Sequence, residues 1–110
     1  MTQETPIYDI TIKAGANYQI DFDYTDDDEV SVDVSGWTAE AQIRQYAESL
    51  YAVAFSCSAD ENGFHLTMDP GQTAKLKFAR GVYDVFITDG NNTRAKLIEG
   101  HVTIIPEVTR

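Results

Sequence analysis

Residues 17–25 read Asn17-Tyr18-Gln19-Ile20-Asp21-Phe22-Asp23-Tyr24-Thr25. Tyr18, Ile20, Phe22 and Tyr24 fall on one side of an extended chain, and Asn17, Gln19, Asp21 and Asp23 on the other. A strand places every second side chain on the same face, so this stretch is predicted to be a strand with one buried and one wet face. The pattern continues on both sides. Upstream, residues 7–13 alternate with Tyr8, Ile10 and Ile12 inward, and Ala14-Gly15-Ala16 makes the connection. Downstream, Asp26-Asp27-Asp28-Glu29 must be a solvated loop, because four adjacent charges are not buried together. Val30, Val32 and Val34 alternate again before Ser35-Gly36 breaks the chain.

Trp37, Ala39, Ala41 and Ile43 form the next apolar row. Residues 38–50 also hold good helix formers, but helical spacing would scatter Trp37 and Ile43 around the axis. A strand over 37–45 is therefore expected. Residues 50–57 are apolar on both faces, with Leu50, Ala52 and Ala54 opposite Tyr51, Val53, Phe55 and Cys57. Asn62-Gly63 is a strong hairpin signal and returns the chain into 64–68, with Phe64, Leu66 and Met68 inward. Asp69-Pro70-Gly71 reads as a turn, and residues 72–76 allow at most one helical turn. Tyr83, Val85 and Ile87 alternate in a strand over 82–88. Asp89-Gly90-Asn91-Asn92 is a second hairpin turn, and a last strand over 94–105 stops at Pro106.

Seven or eight strands at a spacing of about ten residues favour an all-β, two-sheet antiparallel sandwich over a βαβ fold. A chain of 110 residues suffices for one such domain, spanning 1–110. Tyr83 follows Gly81 at the start of a late strand. In an immunoglobulin-like sandwich a tyrosine here closes the preceding loop through a hydrogen bond to upstream backbone. Trp37 suits the buried tryptophan of the same fold. Cys57 is the single cysteine, so no internal disulfide forms.

The net charge is −10, and residues 1–40 hold ten acids against one base, Lys13. Phosphate contacts need clustered Lys and Arg, so neither nucleic acid nor an anionic membrane is an expected partner. No apolar run reaches the length of a membrane span. Met1-Thr2-Gln3-Glu4 lacks the basic and apolar regions of a secretory signal, so none is expected.

Catalytic patterns are weak. His65, His101 and Cys57 do not have zinc-site spacing, and neither a G-x-S-x-G motif nor a Gly-rich phosphate loop occurs. His65 is expected at the surface and Cys57 in the core. Seven carboxylates crowd residues 21–33. Calcium takes oxygen ligands from acidic loops, which makes Asp21, Asp23, Asp26 and Asp28 weak calcium candidates. The pattern is not an EF-hand, and a solvated loop is the plainer reading. Exposed aspartates on one strand do not form the cleft that glycoside hydrolysis needs. Asn91-Asn92-Thr93 spells a glycosylation sequon, without a signal to make it meaningful. No catalytic residue, cofactor or firm metal site is expected, and the chain does not read as an enzyme.

The two-sided apolar run supplies the interface candidates Leu50, Tyr51, Ala52, Val53 and Phe55, joined by Ile104 and Ile105 near the C-terminus. Either both faces of these strands are covered within the fold, or one meets another subunit.

Taken in order, the acidic loop Asp26 to Glu29, Val34-Ser35-Gly36-Trp37-Thr38-Ala39, Gln42-Ile43-Arg44 and Leu66-Thr67-Met68 carry a resemblance. Thr73-Ala74-Lys75-Leu76, Gly81-Val82-Tyr83-Asp84-Val85, Leu97-Ile98-Glu99-Gly100-His101-Val102-Thr103-Ile104 and the closing Pro106-Glu107-Val108-Thr109-Arg110 complete it. The chain resembles a small immunoglobulin-like domain of tailed-bacteriophage virion proteins, best known at the N-terminus of upper baseplate proteins and in tail and neck components. The resemblance implies a non-catalytic structural subunit of the tail, neck, baseplate or capsid decoration. It would be made in the host cytoplasm and built into the virion beside other virion proteins and copies of itself. With no sequence after Arg110, a stand-alone subunit is expected. The alternative is a carbohydrate- or receptor-binding module stacking sugar on Tyr46 and Tyr51.

Overall fold

A computed structural model describes residues 5–26 and 28–109. Eight strands and one helical turn follow in order: β1 (Ile10–Lys13), β2 (Tyr18–Phe22), β3 (Thr38–Arg44), β4 (Ala52–Ala54), β5 (Ser56–Asp60), β6 (Gly63–Met68), α1 (Pro70–Thr73), β7 (Arg80–Thr88) and β8 (Arg94–Ile105). They build a five-stranded sheet, β1-β8-β7-β3-β4, facing a three-stranded sheet, β2-β6-β5. The chain is an all-β sandwich, as the alternation predicts. The strand order is compatible with an immunoglobulin-like arrangement, in which β2, β6 and β5 make one layer and β3, β7 and β8 the heart of the other. β1 lies parallel on the edge of β8, pairing Ile10 with Val102 and Lys13 with Ile105; the other strand pairs are antiparallel.

The core is what period-two patterning dictates. Ile12, Val34, Ile43, Phe64, Leu66, Val85 and Val102 are completely enclosed between the sheets. Residues 38–44 form a strand, not a helix, with Ala41 and Ile43 buried and Gln42 exposed. Trp37 is half-buried, edge-on to Tyr24 at 5.2 Å and tilted against Phe64 at 6.3 Å. In β8 the alternation slips at a bulge: Val85 pairs with Ile98 but Phe86 with Lys96, leaving Leu97 unpaired. The extra residue lets Leu97 and its neighbour Ile98 both pack on the core.

Five expectations need correction. Residues 50–57 are not one strand. The chain leaves the larger sheet after Ala54 and enters the smaller at Ser56, with the Phe55 N–H donating to the Ala41 carbonyl at 3.0 Å. Val53, Phe55 and Cys57 keep facing the core across the switch. Residues 30–34 form no strand beyond a single bridge between Thr25 and Ser31. The Asp26 carboxylate explains this by accepting the N–H groups of Asp28 (2.9 Å) and Val30 (3.0 Å), which curls the chain into a turn. The helical turn falls at Pro70–Thr73, earlier than 72–76, and absorbs the expected turn at 69–71. There Asp69 caps the Gln72 N–H, Gln72 reaches back to the Asp69 N–H, and Pro70 presets the first turn. Tyr8 is half exposed at 51% instead of inward. Finally, the Tyr83 hydroxyl does not close its own loop. It donates to the carbonyl of Tyr8 and straps the N-terminal segment across β8. Gly100 makes this crossing possible, since a Cβ there would collide with the Tyr8 carbonyl.

Candidate functional site

Strand directions sort the connections to two ends of the sandwich. Segments 14–17, 45–51, 69–79 and 106–109 gather at one end. Side chains tie them together. Thr73, fully buried, accepts the Gly15 N–H at 3.0 Å and donates to the Ala16 carbonyl at 2.8 Å. The Tyr51 hydroxyl donates to the Lys75 carbonyl at 2.8 Å, and Gln72 donates to the Ala54 carbonyl at 3.1 Å. Arg44 donates to the Ser49 carbonyl and braces the 45–51 loop.

That loop projects the most exposed apolar side chain of the described core strands and their connections. Leu50 is entirely in solvent, at 101% of its reference exposure, between Tyr46 at 57% and Tyr51 at 51%. Beside it, β4 is a three-residue edge strand paired on one side only, with β3. Unpaired strand edges next to exposed apolar groups are sites of protein association. On the same end lies a cleft of about 410 Å³, walled by Leu76, Phe78, Ala79, Ile104 and Pro106 with Lys77 and Glu107 at its polar side.

The interface candidates therefore divide. Leu50, Tyr51 and Ile105 are exposed and Ala52 is half-buried at the edge. Val53, Phe55 and Ile104 are core residues at 5–6% exposure, so for these three the covering is internal. Sequence reading missed the cleft. Its walls come from Leu76, at the end of the expected helical turn, from 77–79, a stretch assigned to no element, from Ile104 near the end of the last strand, and from Pro106, read only as a terminator. The alternation of Leu76 and Phe78 with Lys77 was the available signal.

Ionisable groups do not converge in that cleft. They meet on the outer face of the smaller sheet, where His65 on β6 bridges two neighbours. Its Nδ1 lies 2.7 Å from Asp21 Oδ1 on β2, and its Nε2 2.9 Å from Asp60 Oδ1 on β5. Both carboxylates hold the imidazole above its usual pKa, and the imidazole in turn holds Asp21 and Asp60 below the usual carboxylate range. His65 is thus more than a surface residue. It is a cross-strand clasp joining all three strands of its sheet. The two carboxylates engage opposite ring nitrogens, so one ion could not collect all three groups.

The calcium candidates are likewise dispersed: Asp21 is engaged by His65 and Gln19, and Asp26 caps its own turn. Among the described residues, no three His, Cys, Asp or Glu side chains come together as a metal site. Burial pushes the Cys57 thiol above its usual pKa, which disfavours a thiolate nucleophile.

The outer face of the larger sheet carries paired charges. Lys96 lies 3.6 Å from Asp84 and 3.5 Å from Glu99, and the Arg94 guanidinium stacks 3.8 Å above Phe86. These cations are already partnered by the sheet itself.

No protein-family model matches the chain, and no curated protein matches its sequence. Function rests on the surfaces just described.

Proposed function

We propose that this chain is a non-catalytic structural subunit of a tailed-phage virion, placed in the tail, neck, baseplate or capsid decoration. It makes protein–protein contacts in a symmetric multi-copy assembly. The observation that supports the reading most directly is the projecting Leu50, set between two exposed tyrosines and against the free edge of β4. A leucine held wholly in water by a braced loop gains nothing for the monomer, whereas burying it in a contact contributes about 1.5–3 kcal/mol. The order of motifs along the chain supplies the virion context.

The test is composition of the particle. Purified virions should contain the chain at a fixed stoichiometry, and Leu50→Ser should lower its incorporation while leaving the isolated protein's melting temperature unchanged. Absence of the chain from purified virions refutes the proposal. A carbohydrate-binding role is the second reading, favoured by the exposed rings of Tyr46 and Tyr51. It requires a change in tyrosine fluorescence on titration with host polysaccharide.

A further inference from the structure

The charges of the chain are separated along the sandwich. At the end opposite the cleft, the β2–β3 connection presents Asp26, Asp28, Glu29 and Asp33, and the adjoining β5–β6 hairpin adds Asp60 and Glu61. The two connections touch, since the Val34 N–H donates to the Asp60 carbonyl at 3.3 Å. At the cleft end stand Lys13, Arg44, Lys75, Lys77 and Arg80 against Glu48, Asp69 and Glu107. Among the described residues, none of Lys13, Lys75, Lys77 and Arg80 is in an ion pair, unlike Arg94 and Lys96 on the sheet face. One end is therefore strongly acidic, and the other, which holds the apolar cleft, carries more cations than acids.

The acidic end also has an apolar tip. Val30 is 58% exposed next to Asp28 and Glu29, and the Asp26 cap fixes the turn that presents it. A valine flanked by carboxylates is complementary to an apolar cleft that has Lys77 beside Glu107 on its polar side and lies at an end of the sandwich where cations outnumber acids. We infer that a second copy of this chain docks its acidic tip, with Val30 leading, into the cleft formed by Leu76, Phe78, Ile104 and Pro106, so that copies associate head to tail. The contact joins two different surfaces, so it is heterologous and propagates into a ring or a stack instead of closing as a two-fold dimer. The molecule measures 46 × 27 × 22 Å, and the opposed charges lie at opposite ends of the strands. Like-charged ends repel, which favours this one polarity of association over end-to-end pairing.

The inference rests on the reading of the chain as a multi-copy subunit and names the partner of its cleft end. Sedimentation of the full chain tests it. At about 0.05 M salt the mean mass should rise with concentration beyond a dimer, and at about 0.5 M salt association should weaken about tenfold or more through screening. A tip variant, Val30→Ser with Glu29→Gln, and a cleft variant, Lys77→Glu, should each remain monomeric. Mixed in equal amounts, they retain one intact tip and one intact cleft and should form a heterodimer that grows no further. A wild-type chain that stays monomeric at low salt and millimolar concentration overturns the inference. So does a wild-type assembly that closes at a dimer, or a mixture that does not pair. Should a variant misfold, the wild-type salt dependence still decides. Virions containing isolated, non-adjacent copies would sink this inference and leave the structural-subunit reading standing. Head-to-tail association of a chain absent from virions would do the reverse.

Discussion

The two sheets of this sandwich are held together differently. In the five-stranded sheet every strand sends at least one side chain into the buried core: Ile12 on β1, Ile43 on β3, Val53 on β4, Val85 on β7 and Val102 on β8. In the three-stranded sheet only the central β6 does so, through Phe64, Leu66 and Met68, while Tyr18, Ile20 and Phe22 on β2 and Cys57 and Ala59 on β5 are half-buried. Both outer strands of the small sheet lie at edges, where their inward side chains meet the rim of the sandwich. The larger sheet is thus fixed by its ladders and its buried face. The smaller depends on one central strand and on polar side chains that reach from strand to strand or into loops. Local opening should begin in the smaller sheet, where apolar burial is shallow.

The largest expected effect separates the two sheets by a matched deletion. Ile43→Ala and Leu66→Ala remove the same number of carbon atoms from equally buried positions. Such deletions cost about 2–5 kcal/mol, and the amount depends on how far the surroundings collapse into the space. β3 is clamped between β7 and β4, so Ile43→Ala should fall near the upper end, at about 4–5 kcal/mol. β2 and β5 can move inward beside Leu66, which places Leu66→Ala nearer about 2–3 kcal/mol. Urea unfolding measures both, and equal costs would erase the distinction between the sheets.

Two polar ties come next. Thr73→Val keeps the shape but removes the hydroxyl that serves Gly15 and Ala16. Leaving those backbone groups without a partner should cost about 1–3 kcal/mol, read by the same titration. Tyr83→Phe releases the Tyr8 carbonyl, which the half-exposed Tyr8 segment can return to water. Its cost should be smaller, about 0.5–1.5 kcal/mol. Amide exchange should then accelerate at the Tyr8 N–H, which bonds the Glu99 carbonyl. An unchanged exchange rate there would mean that the hydroxyl is not the strap.

These contrasts also explain what could be read from the sequence. Period-two rows such as Tyr18-Ile20-Phe22 and Phe64-Leu66-Met68 report burial directly, so the sandwich and its inward faces were legible. The switch of sheets at Phe55 was not, because Val53, Phe55 and Cys57 keep the same parity on both sides of it and leave no break in the pattern. The turn at Asp26 was hidden by composition. Four adjacent acids announce a solvated loop, but not that one carboxylate will cap two N–H groups and end the valine row. The partner of Tyr83 lies 75 residues away, and no local pattern encodes such a distance. Of the candidate site, Leu50 and Tyr51 were visible as excess apolar residues. The cleft was not, since it exists only where 76–79 folds against β8 and Pro106.

The smallest effect is the pH dependence of the smaller sheet. His65 is held charged by Asp21 and Asp60, so its folded pKa lies above its unfolded value of about 6.5. A raised pKa contributes stability that is complete below the unfolded value and is lost as pH rises through the folded one. Asp21 and Asp60 have lowered values. Their contribution is present above the unfolded carboxylate pKa of about 3.9 and is lost as pH falls through the folded values. The melting temperature should therefore peak between these limits and decline as pH is raised beyond about 6.5. The carboxylates are solvent-exposed, so salt should flatten the decline. His65→Gln can still bond its neighbours but carries no charge, and its melting temperature should be level over the same range. His101, 3.6 Å from Asp9 on the larger sheet, is the other imidazole, and His101→Gln should preserve the wild-type decline. If His101→Gln levels the profile and His65→Gln does not, the pH-sensitive contact belongs to the larger sheet and the clasp is not what binds the three strands together.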